Sequence, residues 1–367
     1  MTLVIAAGGT GGHLYPAVAL AREFLRRIPD GVVRFVGTTR GLESTVIPRE
    51  GFPLDVITAK PFMGLSLGKM ARALAALPIG VLQSVALLRR HRTDLVVGIG
   101  GYTSPPVLLA AWLLRIPRAI MEPNAYPGMA NRALAPFADR IFLAFADAGA
   151  RFSRAKVRVV GTPVRRAFVE RAASPPSELK TLLVFGGSQG AQAINSAMID
   201  ALPTLAAIPD LRIVHQTGAK DQARVQAAYD AAGLTPRAHV VPFLFDMPEQ
   251  MEHADLIVSR AGAVTVAELT ALGRPAVLVP LPHAIYGHQA KNAAVLEQAG
   301  AAVVLSQDRL NGGTLGSLLA ELSRNPARLR TMAERSRDLG RTESAEHIID
   351  ECLALLQRGN RNAAAAV

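Results

Sequence analysis

The chain has 367 residues, 50% hydrophobic and 19% charged, which suits two buried cores and excludes a disordered chain. A single cysteine, Cys352, excludes a disulfide framework or a Cys-based zinc site and fits a reducing compartment. The net charge of +11 is uneven: residues 1–165 carry 21 Lys/Arg against 9 Asp/Glu, a net of +12, and residues 166–367 carry 19 against 20, so one half suits an anionic surface.

From Met1-Thr2-Leu3-Val4-Ile5 the chain runs straight into glycines, without the positive n-region of a secretory signal. Apolar runs predict strands at Leu3–Ala7, Val32–Val36, Leu95–Ile99, Arg118–Met121, Ile141–Phe145 and Val157–Val160. Helical stretches separate them, including Pro16–Ile28, where Pro16 suits a first helical turn. Ala73–Leu88 is an apolar helix with Lys69 and Arg72 before it and Arg89-Arg90-His91-Arg92 after it. That pattern fits a core helix with snorkelling ends or a face resting on anionic lipid. Leu95–Leu114 holds no charge, but Gly98, Gly100, Gly101, Pro105 and Pro106 divide it into strand, loop and helix, so no transmembrane helix is expected.

Val164–Lys180, with Ser174-Pro175-Pro176-Ser177, reads as a linker. A second strand series follows at Leu182–Phe185, Leu211–His215, Val240–Phe243, Leu256–Ser259, Ala276–Val279 and Ala302–Leu305. Pro326 to Arg358 is helical and charged, and Gly359–Val367 reads as a frayed tail. Strands alternating with helices imply α/β domains with parallel sheets. Both series open alike, with Gly8-Gly9-Thr10-Gly11-Gly12 after one first strand and Gly186-Gly187-Ser188-Gln189-Gly190 after the other. Ligands of such sheets bind at the carboxyl ends of strands, so the site is expected in a cleft between the domains.

A glycine turn opening a helix offers backbone N–H groups and a positive dipole end to phosphate. A dinucleotide fingerprint fails, because Leu14 stands at its third glycine and no acidic residue follows Phe35-Val36. A Gly-Lys-Ser/Thr phosphate loop and an Asp-x-Asp metal pair are both missing. The expected ligand therefore carries a diphosphate held by backbone dipoles and the Ser188 hydroxyl, without metal or other cofactor. His13 closes the first loop, where it suits a general base. His283 and His288 have the wrong spacing for a metal site. Scattered basic residues and 5% aromatics argue against nucleic acid.

Five ordered motifs carry a family resemblance: Gly8-Gly9-Thr10-Gly11-Gly12-His13, Gly100-Gly101-Tyr102, Gly161-Thr162-Pro163-Val164-Arg165, Gly186–Ala191 and Ser259–Glu268. Together they resemble the MurG family, UDP-N-acetylglucosamine–N-acetylmuramyl-(pentapeptide) pyrophosphoryl-undecaprenol N-acetylglucosaminyltransferases, from residue 3 to about 350. The resemblance implies a GT-B fold, two Rossmann-like doubly wound domains facing across a deep cleft. It places an acceptor and membrane-binding domain at 1–163 and a UDP-GlcNAc domain at 164–340. The C-terminal helix and tail, 341–367, would pack back toward the first domain. The implied reaction moves N-acetylglucosamine to the C4 hydroxyl of the muramoyl sugar of lipid I, with inversion, making lipid II for the cell wall.

By that resemblance His13 is the base, and Thr10, Gly11 and Gly12 line the sugar and diphosphate side. Asn124 and Gln289 would hold the transferred sugar, and Arg165 and the Leu244 backbone the uracil. Ser188 would meet the diphosphate. Ala263, Val264, Thr265, Val266 and Ala267 would form a helix N-terminus under the phosphates, with Glu268 accepting from the ribose hydroxyls. Two departures fall on the sugar side. Met121-Glu122-Pro123-Asn124 replaces a frequent His-Glu-Gln-Asn, and His288-Gln289 replaces paired glutamines. Glu122 suits either catalysis or burial among backbone donors. The implied location is the cytoplasmic face of the bacterial membrane, peripheral, on anionic phospholipid and near cell-wall and division proteins. Two other readings keep the fold: a UDP-GlcNAc 2-epimerase and a non-catalytic nucleotide-sugar-binding protein.

Overall fold

The computed structural model describes residues 1–364 apart from 10, 40, 61–66, 172, 188, 283 and 285–286, with the side chains of 67–75 and 358–364 also outside the description. The chain forms two units, Met1–Arg165 with Arg341–Val367, and Arg166–Gly340.

The first unit alternates β1 (Thr2–Ala7), α1 (Gly11–Arg27), β2 (Val32–Gly37), α2 (Glu43–Arg49), β3 (Leu54–Val56) and α3 (Leu67–Arg90). It continues through β4 (Leu95–Gly100), α4 (Ser104–Leu113), β5 (Arg118–Glu122), α5 (Met129–Leu134), β6 (Arg140–Leu143) and β7 (Val157–Val159). The strands are parallel, in the order β3-β2-β1-β4-β5-β6-β7. Helices on both faces bury the central strands fully, which is why β4 is a continuous apolar run with no exposed residue.

The second unit opens with α6 (Arg166–Val169), β8 (Thr181–Phe185), α7 (Gln192–Ala206), β9 (Arg212–Gln216), α8 (Gln222–Ala231), β10 (Ala238–Val241) and α9 (Met247–His253). There follow β11 (Leu256–Ser259), α10 (Ala263–Leu272), β12 (Ala276–Leu278), α11 (His288–Gln298), β13 (Ala302–Val304), α12 (Gly312–Ser323) and α13 (Pro326–Asp338). Its parallel order, β10-β9-β8-β11-β12-β13, repeats the doubly wound arrangement. The last helix, α14 (Ser344–Ala364), returns to the first unit. There Ile348, Ile349 and Cys352 are buried with Leu3, Ile5 and Leu14, and Arg27–Asp350 (2.7 Å) and Arg140–Glu351 (3.0 Å) pair across its edges.

Several sequence expectations need correction. Pro16 lies inside α1, which starts at Gly11, so Pro16 has no N–H to offer the Gly12 carbonyl. Within the expected linker, α6 buries Phe168. The expected frayed tail is helical to Ala364. The strand β3, three half-exposed residues tied in by Asp55 to Arg34 of β2 at 2.6 Å, is too short for its periodicity to show. Among the described residues no helix is long and apolar enough to cross a membrane.

A polar network braces the core of the second unit. His215 is 0% exposed; its Nε2 donates to Asn195 Oδ1 (3.1 Å) and its Nδ1 accepts from the Tyr229 hydroxyl (3.2 Å). Asn195 Nδ2 in turn holds the Thr217 carbonyl (2.9 Å) and Asp221 (2.7 Å). These roles require a neutral ring, and burial pushes the His215 pKa down to about 3. Unfolded, the ring takes up its proton near 6.5, so between the two values the unfolded state binds more protons. Stability from this residue is lost as pH falls from about 6.5 to about 3, at up to ~1.4 kcal/mol per pH unit. Chemical denaturation from pH 7 to 4.5 should show a steeper loss for the native protein than for His215→Gln; parallel curves would contradict the assignment.

Candidate active site

In both sheets the strand order reverses beside the first strand, between β1 and β4 and between β8 and β11. Such a switch point leaves a crevice at the carboxyl ends of the strands. Four of the five glycine motifs fall there: Gly8–Gly12 after β1, Gly100–Gly101 at the end of β4, Gly186–Gly190 after β8 and Gly262 after β11, while Gly161 follows the edge strand β7.

In the first unit, Gly101 has φ +76° and a Cβ there would lie 2.5 Å from the Gly8 carbonyl oxygen, so only glycine lets the two loops meet. His13, in the first turn of α1 and half-buried, has its Nδ1 3.1 Å from that same Gly8 carbonyl. A carbonyl only accepts, so Nδ1 carries the hydrogen and the neutral ring has its lone pair at Nε2. Gly11 and Gly12 form the start of the same helix, whose dipole is positive there. Arg165 lies over the Tyr15 ring, 4.6 Å from its centroid. Thr10 lies outside the described residues.

The loop after β5 is organised by Glu122, which is 1% exposed. Its carboxylate accepts from the N–H groups of Asn124 (3.0 Å) and Gly128 (2.8 Å) and from the amides of Asn131 (2.9 Å) and Asn124 (3.2 Å). Burial raises its pKa against these donors. The alternative of a buried carboxylate satisfied by local donors therefore describes Glu122, which holds Asn124 in place. Met121 and Pro123, the two departures here, are both buried, Met121 within the main core.

Sequence reasoning missed Glu43, in the first turn of α2, where a charged residue suggests solvent. It is 0% exposed and takes donors from Gly9, Thr38 and Tyr102. The available signal was the flanking pair Gly37 and Gly41, where added side chains would collide with Glu43.

In the second unit, Gly190 has φ +72° and its Cα faces the Thr217 carbonyl, leaving no room for a Cβ. Gln216, a second missed residue, ends β9 and ties two parts of the site together. Its Nε2 donates to the Gly187 carbonyl (2.9 Å), and its Oε1 accepts the Leu244 N–H (3.2 Å). Leu244 thus offers a base its carbonyl rather than its N–H. Ser188 and His283 lie outside the described residues.

The helix α10 begins at Gly262 with no side-chain cap. The N–H groups of Ala263, Val264 and Thr265 lie in its first turn, where α-helical geometry supplies no acceptor. They form an anion-binding end with the helix dipole behind it. Val266 is buried and spends its N–H on the Gly262 carbonyl (2.9 Å), and Ala267 lies deeper in the helix. Glu268 is 6% exposed on the second turn. Gln289, near the start of α11, accepts the Leu281 N–H at 2.9 Å, which leaves its amide nitrogen to donate. Asn292 of α11 donates to the Ala261 carbonyl (3.2 Å) and Arg260 to the Val279 carbonyl (3.1 Å), so the segments carrying Glu268 and Gln289 are fixed to each other. Among the described residues no group of three or more His, Cys, Asp or Glu comes together as a metal-ligand set.

Two models of one glycosyltransferase family match the chain. Residues 3–143 match the glycosyltransferase family 28 N-terminal domain and residues 181–351 its C-terminal domain. A protein of Syntrophus aciditrophicus, named UDP-N-acetylglucosamine–N-acetylmuramyl-(pentapeptide) pyrophosphoryl-undecaprenol N-acetylglucosamine transferase, is 45% identical over 97% of this chain and 99% of its own. The crystal structure of Acinetobacter baumannii MurG superposes with a TM-score of 0.77 at 31% identity, covering 96% of this chain and 99% of that one. A Neisseria meningitidis UDP-GlcNAc 2-epimerase bound to UDP-GlcNAc reaches a TM-score of 0.69 at 16% identity, covering 96% of this chain and 100% of that one, a likeness of fold alone.

Proposed function

The chain belongs to glycosyltransferase family 28, and we propose that it transfers N-acetylglucosamine from UDP-GlcNAc to the C4 hydroxyl of the N-acetylmuramoyl sugar of lipid I, making lipid II. The observation that carries this reading is the 45% identity, over nearly the whole length of both chains, with a transferase of that name. The epimerase neighbour shares the fold at 16% identity and gives the epimerase reading no comparable support.

The chemistry is a single in-line displacement with inversion. The acceptor C4 oxygen forms a bond to the anomeric carbon of N-acetylglucosamine while the bond from that carbon to the β-phosphate oxygen breaks. The hydroxyl proton passes to His13 Nε2, and the bonding pair leaves with UDP. His13 suits this role because its Nδ1 hydrogen is committed to the Gly8 carbonyl. On the donor side, the N–H groups of Ala263, Val264 and Thr265 and the loop bearing Ser188 meet the diphosphate, and Thr10, Gly11 and Gly12 face its sugar side. Backbone dipoles held in place before the reaction stabilise the departing charge without reorganisation, so no metal is required. Glu268 accepts from the ribose, the Leu244 carbonyl takes the uracil N3–H and Arg165 packs near the base. Asn124 and the amide nitrogen of Gln289 donate to the transferred sugar.

The acceptor is lipid-bound, which gives the first unit's charge a purpose. Its packed helices α3 and α4 expose Ile79 (52%), Leu82 (70%), Trp112 (44%) and Leu113 (57%), and Arg89 and Arg90 at the end of α3 are exposed as well. Ala76, Ser84 and Leu88 form the buried side of α3. The segment is therefore core on one face and apolar surface on the other, and it docks peripherally on the anionic cytoplasmic leaflet. The side chains of Lys69 and Arg72 lie outside the described residues.

With UDP-GlcNAc and a lipid I analogue, the native enzyme should release UDP and a disaccharide lipid. His13→Ala should lower kcat by ~100-fold or more, and a near-normal kcat would remove His13 as the base. Formation of UDP-ManNAc without acceptor would favour the epimerase instead, and binding without turnover a sensor. In sedimentation with vesicles containing anionic phospholipid, Leu82→Asp combined with Arg89→Gln and Arg90→Gln should bind about tenfold more weakly or worse. Unchanged binding would refute the docking face.

A further inference from the structure

One peptide group joins a buried carboxylate to the imidazole assigned as base. The Gly8 carbonyl accepts from His13 Nδ1 at 3.1 Å, and the N–H on the other side of that same peptide, at Gly9, donates to Glu43 Oε2 at 3.1 Å. The second oxygen, Oε1, accepts from the Thr38 N–H (3.1 Å), the Thr38 hydroxyl (2.9 Å) and the Tyr102 hydroxyl (3.3 Å). Glu43 is 0% exposed, and these four donors are all neutral. A group that only accepts suits an ionised carboxylate, whose field acts through little water. The fold clears space for it: a Cβ on Gly37 would lie 2.6 Å from Glu43 Cγ, and one on Gly41 would overlap the carboxylate.

Hydrogen bonds in series polarise one another, and those to a charged group are the stronger ones. A carboxylate on the Gly9 N–H makes the Gly8 oxygen a better acceptor, which holds Nδ1 protonated and favours the imidazolium that forms when Nε2 takes a proton. We propose that Glu43 is a positioning residue for the transfer, relaying its charge through the Gly8–Gly9 peptide to His13. The inference rests on His13 being the base. It parallels the buried aspartate that orients the histidine of a Ser-His-Asp triad, with a peptide inserted between carboxylate and ring and no proton moving through it.

Other polar groups lie close to the ring or on its turn of helix. The point where a Gly100 Cβ would stand is 3.4 Å from His13 Nε2 and 3.3 Å from the Asn131 amide nitrogen, which binds Glu122. Tyr102 adjoins Gly101, and Tyr15 carries Arg165 on the same turn of α1. A variant that keeps all of these and removes only the Glu43 charge isolates the relay. Glu43→Gln removes the charge at the same size, its one oxygen taking either the Gly9 or the Thr38 N–H.

Two readings on the full-length enzyme test it: a titration of the His13 ring by 15N NMR, and the acid limb of kcat/KM against pH. In Glu43→Gln both should move to lower pH by about half to one unit, with kcat about tenfold lower. An unmoved ring titration in a folded Glu43→Gln protein would overturn the proposal. Should that variant not fold, Thr38→Val keeps the charge and removes a competing donor. It should move both readings slightly upward, and no movement would be equally fatal. If His13→Ala retains activity, the base assignment falls, while the ring titration still decides whether the relay exists.

Discussion

A parallel strand that feeds a helix delivers two things to its carboxyl end, a loop of unpaired backbone and the positive end of a helix dipole. The rest of this molecule depends on that constraint. The strand order reverses beside β1 and again beside β8, so in each unit two such ends flank a crevice that no crossover covers. Glycine fills the loops because backbones meet there: Gly101 against the Gly8 carbonyl, Gly190 against the Thr217 carbonyl. Glu43 and Gln216 serve the same end from the next strand out. Each rises at or just past a neighbouring strand's end and takes the N–H of a site loop, Gly9 in one unit and Leu244 in the other.

The two units use this common frame for opposite chemistry. In the proposed reaction the first unit supplies the base, an imidazole whose Nδ1 is engaged by one carbonyl, on a sheet whose flanking helices also present apolar and basic surface. In the second unit the proposed phosphate-binding end is mainly backbone. An uncapped α10 and a glycine loop braced by Gln216 offer N–H groups instead. The charge split suits the proposed roles: the excess of basic residues belongs to the unit proposed to approach a lipid-bound acceptor, and the unit proposed to hold the donor has equal numbers of basic and acidic residues. Under that proposal the donor is held by fixed dipoles rather than by net charge.

Much of this was legible in the sequence, for physical reasons. A strand covered on both faces must be apolar throughout, so β4 and β8 stood out as unbroken runs, and loops that touch must be glycine, so the switch points announced themselves. Features that depend on long-range partners did not. The three residues of β3 carry no usable period and are held by the pairing of Asp55 with Arg34. Pro16 resembles a helix start because nothing local shows that α1 begins five residues earlier. Glu43 looks like a solvated first-turn carboxylate until Thr38 and Tyr102, 5 and 59 positions away, supply its donors. The roles assigned to Leu244 and Gln289 were refined in the same way, since each has one polar group already engaged within its own unit.

The central claim is that backbone dipoles, not a metal ion, carry the negative charge of the departing UDP. Turnover of metal-stripped enzyme in excess EDTA, with UDP-GlcNAc and a lipid I analogue and with the products resolved by mass, tests it directly. The account predicts disaccharide lipid and UDP in equal amounts at close to the untreated rate. A reaction that stops in EDTA and returns with a divalent cation would contradict it.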